Sequence, residues 1–308
     1  MLSEQSPTSD LPRVTVITPS FNQGKTIRKT IESVLSQDYP NIQYIVMDGG
    51  STDTTCQILE QYGDRFEWIS QKDNGQSDAI NTGMGKATGD IIAWLNSDDM
   101  YTPGAVRAAA IAFANNPQAD LVYGDAQWLT LDGQLISKVV TVEPFDRKRL
   151  LTISDFICQP ATFFRRAAYE AVGGLNPDLH YCMDYDLWLK LTSDKPAIYI
   201  RQTLAQIHCN DETKTSSGGQ QRLHEIRNMI QKHGGDGLPA YYRIEYAGLL
   251  LGELSKCLKR LLLFSCLKHT LVIASQLLNS RVIGTLFSRK LYQVIRSRNH
   301  RIKAQQTR

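Results

Sequence analysis

Strand-like and helix-like segments alternate through the first third of the chain. Apolar runs typical of buried strands occupy 13–18, 42–47, 66–70 and 91–95, and apolar residues recur at helical spacing in 26–37, 54–62 and 77–86. This order predicts βαβ units, whose strands are parallel and whose helices cover both faces of one sheet. We therefore expect an α/β fold with a mixed, mainly parallel sheet.

Polar turns directly follow three of these strands. The sequences PSFN, DGGSTD and NSDD begin at residues 19, 48 and 96. Ligands of such sheets bind beyond the carboxyl ends of the strands, so the three turns are expected to converge on one edge. That edge is the predicted ligand site.

Composition excludes several classes of protein. The chain has 308 residues, of which 42% are hydrophobic, and this is enough for a sizeable core in one or two domains. The formal net charge of +3 gives no sign of disorder or of a nucleic-acid partner. The six cysteines are scattered without a CxxC pair, which favours a reducing compartment. Residues 1–12 are polar and lack a signal region, so a disordered leader and a cytoplasmic location are expected.

The second half of the chain is less regular. Strands are predicted at 121–123, 127–131 and 135–141, and helices at 184–191 and 223–232. The sequence GGDGLP, residues 234–239, is the best candidate linker. We therefore expect a main domain over 13–235 and a separate region over 236–308.

Acidic residues, not glycines, mark the predicted ligand edge. Neither GxGxxG nor GxxxxGK[ST] occurs after the first strand, so a dehydrogenase or a P-loop enzyme is not expected. Asn96, Asp98 and Asp99 instead form an oxygen-rich cluster that suits Mg²⁺ or Mn²⁺. The alternative is that these side chains cap the helix that begins near Pro103.

Four segments resemble the inverting, family 2 nucleotide-sugar glycosyltransferases, which have the GT-A fold. The segments are VTVITPSFNQGKTIRKTIESVLSQ, IVMDGGSTDTT, DNGQSDAINTGMGKATGDIIAWLNSDD and CMDYDLWLKL. The resemblance covers roughly 13–210 with the motifs in order, and nothing comparable covers the remainder. It implies a GT-A sheet with helices on both faces, a catalytic domain over 13–235 and a helical C-terminal region.

The resemblance also implies roles for individual residues. Asp98 and Asp99 would hold Mn²⁺ or Mg²⁺, which stabilises the charge on a departing diphosphate. His208 lies where some family members bring a histidine to the metal or the diphosphate, although a lone histidine near a strand end is often structural. A nucleotide-sugar donor, expected to be UDP-linked, would contact residues in the strand-end turns and the third helix: Pro19, Ser20, Phe21, Asp48, Lys72, Asp73, Asp78, Asn81, Asn96 and Asp98.

Structural alternatives compete with several of these assignments. Phe21 could be a core aromatic, and Asp53 could cap the following helix. Asp78 and Asn81 stand three residues apart at a helix start, where capping and dipole effects also favour them.

The acceptor hydroxyl is a weak nucleophile and needs a general base. The family places this base at the start of the DYDLW helix, which corresponds to Asp184, with Asp186 as the fallback. Three positions depart from the usual family pattern. Asn96 replaces an aspartate, Gly49 replaces the second acid of a DDGS turn, and Met183 replaces a glutamate before the base.

The resemblance implies a metal-dependent inverting glycosyltransferase. It would move one sugar from a nucleotide donor to a glycan or a lipid-linked acceptor, in cell-surface polysaccharide synthesis. A sugar nucleotidylyltransferase would need a glycine-rich, arginine-bearing loop after the first strand, and PSFNQGK is not one. A catalytically silent glycan- or nucleotide-binding module is the other alternative, and the intact acids Asp98, Asp99 and Asp184 argue against it.

The C-terminal region is strongly basic. Residues 256–308 contain twelve Lys and Arg and no Asp or Glu, which leaves 22 basic residues against 31 acidic ones in 1–255. Leucines lie between these bases, so we expect amphipathic helices in 239–308 that lie on the anionic inner face of the cell membrane. A helical hairpin packed on protein is the alternative. A membrane-spanning helix is not expected, because Lys268 and His269 interrupt the apolar stretch.

Overall fold

The computed structural model describes residues 11–130, 133–139, 141–208, 218–259 and 263–277. In these ranges nine strands form one sheet. They are β1 (Val14–Ser20), β2 (Ile42–Asp48), β3 (Glu67–Ser70), β4 (Ile91–Trp94), β5 (Asp99–Tyr101), β6 (Leu121–Leu129), β7 (Leu135–Lys138), β8 (Thr162–Arg165) and β9 (Ile198–His208).

The helices of the described ranges alternate with the first strands and then accumulate toward the C-terminus. They are α1 (Ile27–Leu35), α2 (Thr55–Glu60), α3 (Gln76–Met84), α4 (Ala105–Asn115), α5 (Arg147–Thr152), α6 (Arg166–Ala171), α7 (Met183–Leu191), α8 (Gly219–Lys232), α9 (Ala240–Lys259) and α10 (Leu263–Leu277). Short 3-10 helices occupy Gly63–Arg65 and Gln159–Ala161.

The sheet is mixed, as the sequence predicts. Its strand order is β3-β2-β1-β4-β8-β6-β9-β5, and β7 pairs with β6. The first four strands in this order are parallel, while the other half is antiparallel except for the β6–β9 pair. The parallel half therefore carries the predicted βαβ units.

Helices cover both faces of the sheet, and this prediction is confirmed. Alternate residues of each strand point to opposite faces. On β1, Val14 and Val16 pack in the core beneath α1, α2 and α4, whereas Ile17 packs in the core beneath α3, α7 and α8. Because both faces are buried, the strands read as continuous apolar runs.

One long strand replaces two of the predicted ones. The segments predicted at 121–123 and 127–131 form the continuous strand β6, in which Gly124 marks a shift of register against β9. A Cβ on Gly124 would lie 2.6 Å from the carbonyl oxygen of Gln202. In the sequence, Gly124 looks like a break between two strands. In the structure, its lack of a side chain permits the backbones of β6 and β9 to approach closely.

The C-terminal helices pack on the main core and on one another. Leu238 and Tyr242 belong to the same buried cluster as α7, and α9 packs along α10. The His269 ring and the Gln220 amide both bond to Glu253, at 2.8 and 2.9 Å. The described part of this region thus forms a packed helical pair, and attachment of the region to a membrane stays a prediction.

Parts of the predicted tail and leader lie outside the described residues, namely 1–10 and 278–308. The domain boundary between residues 235 and 236 stays a prediction. Among the helices that the structure describes, none has both the length and the apolar content to cross a bilayer.

Gly83 fixes how closely α3 packs on the sheet. A Cβ at Gly83 would lie 2.7 Å from Ile17 Cγ2 and 3.0 Å from Met47 Cγ, both on buried strands. Substitution Gly83→Ala should lower the free energy of unfolding by about 1–3 kcal/mol, because overpacking outweighs the better helix propensity of alanine. Urea denaturation measures the change.

Gly85→Ala is the matched control. Gly85 ends the same helix with φ −62°, and a Cβ there would meet only a carbonyl oxygen at 3.4 Å. We expect this variant to be neutral or slightly stabilising. Equal destabilisation by both substitutions would contradict the packing argument.

Candidate active site

The three polar turns meet at one edge of the sheet, as predicted. Ser20 at the end of β1 lies opposite Asp48 at the end of β2, and Gly49 donates its N–H to the Ser20 carbonyl at 2.8 Å. Leu95, just after β4, donates its N–H to Ile17 of β1 at 2.9 Å. Parallel pairing therefore places the acidic segment 96–99 beside the first two turns.

Asp48 organises the second turn. Its side chain is buried, and Oδ2 accepts hydrogen bonds from Ser51 N at 2.9 Å and from Ser70 Oγ at 2.7 Å. The hydroxyl of Ser51 donates to the other carboxylate oxygen. Asp48 thus ties the end of β2 to the end of β3.

The lack of a side chain at Gly49, next to Asp48, has a steric explanation. A Cβ on Gly49 would lie 2.7 Å from Asp73 Oδ2, so the Asp73 carboxylate already occupies the space of a side chain at position 49. A second acid in this turn would collide with Asp73 and add a repulsive charge. This accounts for one departure from the usual family pattern.

Phe21 projects from the first turn with 59% of its surface exposed, which excludes a core role. The adjacent Ser20 is buried and its hydroxyl has no hydrogen-bond partner. Asp53 accepts N–H groups from Thr55 and Gly24, both at 2.9 Å. Asp53 therefore caps the start of α2, which is the structural role considered in the sequence analysis. It also holds the first turn against the second.

The acid pair after β4 lies in an environment that disfavours negative charge. Asp99 is 5% exposed, and burial, reinforced by the charge of Asp98, raises the pKa of its carboxyl well above the usual range. Burial also raises the pKa of Asp98, although nearby His208 opposes this. The amide of Asn96 donates to Asp99 Oδ2 at 3.2 Å. An aspartate at position 96 would have added a third negative charge in place of that donor.

His208 completes this corner of the site. Its Nδ1 lies 2.7 Å from the carbonyl oxygen of Asp98. Because a carbonyl only accepts hydrogen bonds, Nδ1 carries a proton. His208 is 3% exposed, and its Nε2 is buried without a hydrogen-bond partner among the described residues. A metal-binding histidine is usually oriented in this way, with the second nitrogen bonded to a backbone carbonyl.

Protein side chains alone do not complete a metal centre here. Across the described ranges, no group of three or more His, Cys, Asp or Glu side chains is arranged to hold an ion. Mg²⁺ is commonly bound by one or two carboxylates, with waters and substrate phosphates supplying the other oxygens. The carboxylates of Asp98 and Asp99 are ligands of that kind.

A chain of amides stiffens the acidic segment. Gln76 Nε2 donates to Asn96 Oδ1 at 2.8 Å, and Asn96 Nδ2 donates to Gln159 Oε1 at 3.0 Å. Gln159 in turn donates to the carbonyl of Trp94 at 2.8 Å. The sequence analysis missed Gln159, which comes from a 3-10 helix more than sixty residues away along the chain.

The two candidate bases have different environments. Asp184 lies in the first turn of α7, and its Oδ1 accepts the N–H of Tyr185 at 2.8 Å. Asp186 is buried in contact with Lys190 Nζ at 2.8 Å and His233 Nε2 at 2.7 Å. Burial alone would raise the pKa of Asp186, but the bonds from His233 and Lys190 outweigh it and lower the pKa. Asp186 is therefore the weaker base.

Burial raises the pKa of the Cys158 thiol well above the usual range, and the negative charges of Asp99, Asp155 and Asp184 raise it further. Asp155 is a further carboxyl that the sequence analysis missed, and it has no periodic or motif signal.

Other predicted donor residues lie at different points of the same edge. Lys72 is exposed beside the Gly50 backbone, and Asp78 accepts the N–H of Asn74 at 2.9 Å. Asn81 points elsewhere. Its amide donates to the carbonyl of Leu175 at 2.9 Å, and its oxygen accepts the Leu175 N–H at 3.1 Å.

Solved structures share this fold. The structure of residues 1–349 of TarS from S. aureus, in complex with UDP-GlcNAc, matches 77% of this chain and 71% of its own with a TM-score of 0.57 at 19% identity. The mannosyltransferase PcManGT from Pyrobaculum calidifontis, in complex with GDP-Man and Mn²⁺, matches 96% of this chain and 86% of its own with a TM-score of 0.57 at 17% identity.

Sequence relatives are also glycosyltransferases. Chondroitin synthase of Escherichia coli is 31% identical over 195 residues, which are 62% of this chain and 28% of that protein. Hyaluronan synthase of Pasteurella multocida is 28% identical over 192 residues, 61% of this chain and 20% of that protein. The chain thus spans under a third of the length of these two synthases. The family model described as glycosyl transferase family 2 matches residues 15–173, more than half of the chain. The chain belongs to glycosyl transferase family 2.

Proposed function

We propose that this chain is a metal-dependent inverting glycosyltransferase that uses a UDP-linked donor. Its acceptor would be a hydroxyl of a glycan or a lipid-linked saccharide in cell-surface polysaccharide synthesis. The observation that carries the proposal is the meeting of three strand-end turns at one edge of the sheet, where His208 lies against the backbone of the acid pair Asp98 and Asp99. The synthase relatives and the UDP-GlcNAc complex of TarS support it.

The donor would lie along the carboxyl edge of β1, β2 and β4. The exposed ring of Phe21 offers a surface for the nucleoside, and the turns built on Pro19, Ser20 and Asp48 would bound its other side. Lys72 and Asp73 lie beside the second turn, within reach of ribose or diphosphate oxygens. Asp78 and Asn81 have mainly structural contacts, so their part in donor binding would be indirect.

Asp98, Asp99 and Nε2 of His208 would hold Mn²⁺ or Mg²⁺. The cation would stabilise the charge that develops on the departing diphosphate, without a proton transfer. Asn96 restrains Asp99, and the backbone carbonyl of Asp98 orients His208. The raised pKa values of the acid pair are a cost of burying like charges, which a cation at this position would remove.

Asp184 would act as the general base toward the acceptor hydroxyl. Its helix begins at the edge of the site, and one carboxylate oxygen is held by the N–H of Tyr185. A base on the face opposite the leaving group gives a single displacement with inversion. Since both carboxylate oxygens of Asp186 are occupied by contacts with Lys190 and His233, it would anchor the helix instead.

We further propose that 13–235 is the catalytic domain and that the basic C-terminal region, 239–308, attaches it to the cytoplasmic face of a membrane. The twelve Lys and Arg of 256–308, without any acid, support an anionic partner surface. A lipid-linked acceptor would then meet the enzyme at the bilayer.

The metal proposal is tested with Asp99→Ala. We expect transfer to fall at least about a hundredfold, because the cation contributes several kcal/mol of charge stabilisation. The Mn²⁺-dependent thermal shift with UDP should also be lost. Asp90→Ala is the matched control, since Asp90 is an exposed acid just before the other end of β4. Full turnover of the unaltered enzyme in excess EDTA would rule out the metal role.

The base proposal is tested with Asp184→Asn. The amide keeps the shape and removes the basicity, so kcat should fall by roughly 10²- to 10⁴-fold while UDP affinity stays unchanged. Asp186→Asn should mainly reduce thermal stability, because it unbalances the contacts with Lys190 and His233. If folded Asp186→Asn loses more kcat than Asp184→Asn, the base assignment moves to Asp186.

The membrane proposal is tested by co-sedimentation with liposomes. Removing 278–308 deletes eight basic residues and leaves every described helix intact. The full chain should pellet with anionic liposomes and remain in solution with neutral ones. The shortened chain should bind anionic liposomes at least about a hundredfold more weakly, because each nearby cation contributes about 1 kcal/mol. Equal binding by both chains, or no binding by either, would contradict the proposal.

A further inference from the structure

Glu225 of α8 binds the backbone at the entrance of α7. Its Oε1 accepts N–H groups from Tyr181 at 2.6 Å and Cys182 at 2.9 Å, and its Oε2 accepts the N–H of His180 at 3.0 Å. One carboxylate thus satisfies three consecutive backbone donors. Glu225 lies more than forty positions away from these donors along the chain.

These three donors lie directly before the helix that carries Asp184. Cys182 is the N-cap of α7 and its side chain makes no capping bond, while His180 and Tyr181 precede the helix. Glu225 therefore binds the segment that leads into the helix, not the N–H groups of its first turn. Hydrogen bonds to a carboxylate are shorter and about twice as strong as neutral ones, so Glu225 can hold this segment in one position.

We propose that Glu225 is a positioning residue for glycosyl transfer, which fixes the first turn of α7 so that Asp184 meets the acceptor hydroxyl. The inference rests on the proposed role of Asp184 as the base. It adds a residue outside 15–173, the part of the chain that matches the family model.

The support of Glu225 itself comes from the C-terminal helices. Leu223 and Ile226 bury the inner face of α8 in the same core as Leu187 of α7. On the adjoining face, Arg222 forms an ion pair with Glu245 of α9. Glu225 therefore lies on a helix that is itself anchored in the core, mainly by Leu223 and Ile226.

Position 183, directly before Asp184, carries no acid. Met183 is buried and its sulfur accepts a hydrogen bond from Ser77 at 2.8 Å. The residue before Asp184 therefore supplies no carboxylate. Glu225 supplies one at the entrance of the same helix, from a different element.

The test compares Glu225→Gln and Glu225→Asp with Glu245→Gln. In Glu225→Gln one oxygen can still accept two N–H groups, but the amide nitrogen faces the His180 N–H. We expect kcat to fall about tenfold with an unchanged KM for the UDP-sugar, because misplacement of a catalytic group by even 1 Å can cost about a hundredfold. Glu225→Asp retains the charge and should recover part of the loss.

Glu245→Gln is the matched control. It weakens the docking of α8 on α9 without touching the three N–H groups, so it should lower the melting temperature and leave kcat near its starting value. If Glu225→Gln lowers stability and kcat only as much as Glu245→Gln does, Glu225 is structural and the proposal fails.

A double variant separates this proposal from the one on which it rests. If Asp184 is the base and Glu225 positions it, Glu225→Gln should cause no further loss of kcat in the Asp184→Asn background, because the two act as a unit. Additive losses would overturn the positioning role while the base assignment stands. Wild-type kcat in Asp184→Asn alone would instead overturn the base assignment.

Discussion

The rest of the site depends on two adjacent carboxylates at the end of a buried strand. Burying like charges side by side is unfavourable, as the raised pKa values of Asp98 and Asp99 indicate. The surrounding groups oppose this cost. Asn96 donates to Asp99, and His208 is held against the Asp98 carbonyl. The result is a corner suited to a cation and a diphosphate.

The sheet determines which segments reach that corner. Its parallel half aligns the ends of β1, β2 and β4, so the donor side is built from turns close together in sequence. The antiparallel strands beyond β4 bring β9 and His208 back beside β5, where Asp99 pairs with Ile207. The change from parallel to antiparallel pairing is thus what adds the histidine to the acid pair.

The proposed acceptor side depends on helices rather than on strands. Asp184 is carried by α7, which is anchored from within by the contacts of Asp186 with Lys190 and His233. Glu225 holds the same helix at its entrance. Both His233 and Glu225 come from α8 or the residue that ends it, so the C-terminal helices are part of the framework of the site.

Local patterns in the sequence were sufficient for the parallel half of the fold and for the acid pair, because strand and helix periodicity and strand-end turns are encoded by neighbouring residues. The placement of Gln159 and Glu225 depended on tertiary structure. Gln159 bonds to Asn96 and Glu225 to the backbone before α7, each across a long stretch of chain that no spacing rule links. The same holds for Gly49, whose lack of a side chain is explained only by the Asp73 carboxylate that fills the space beside it.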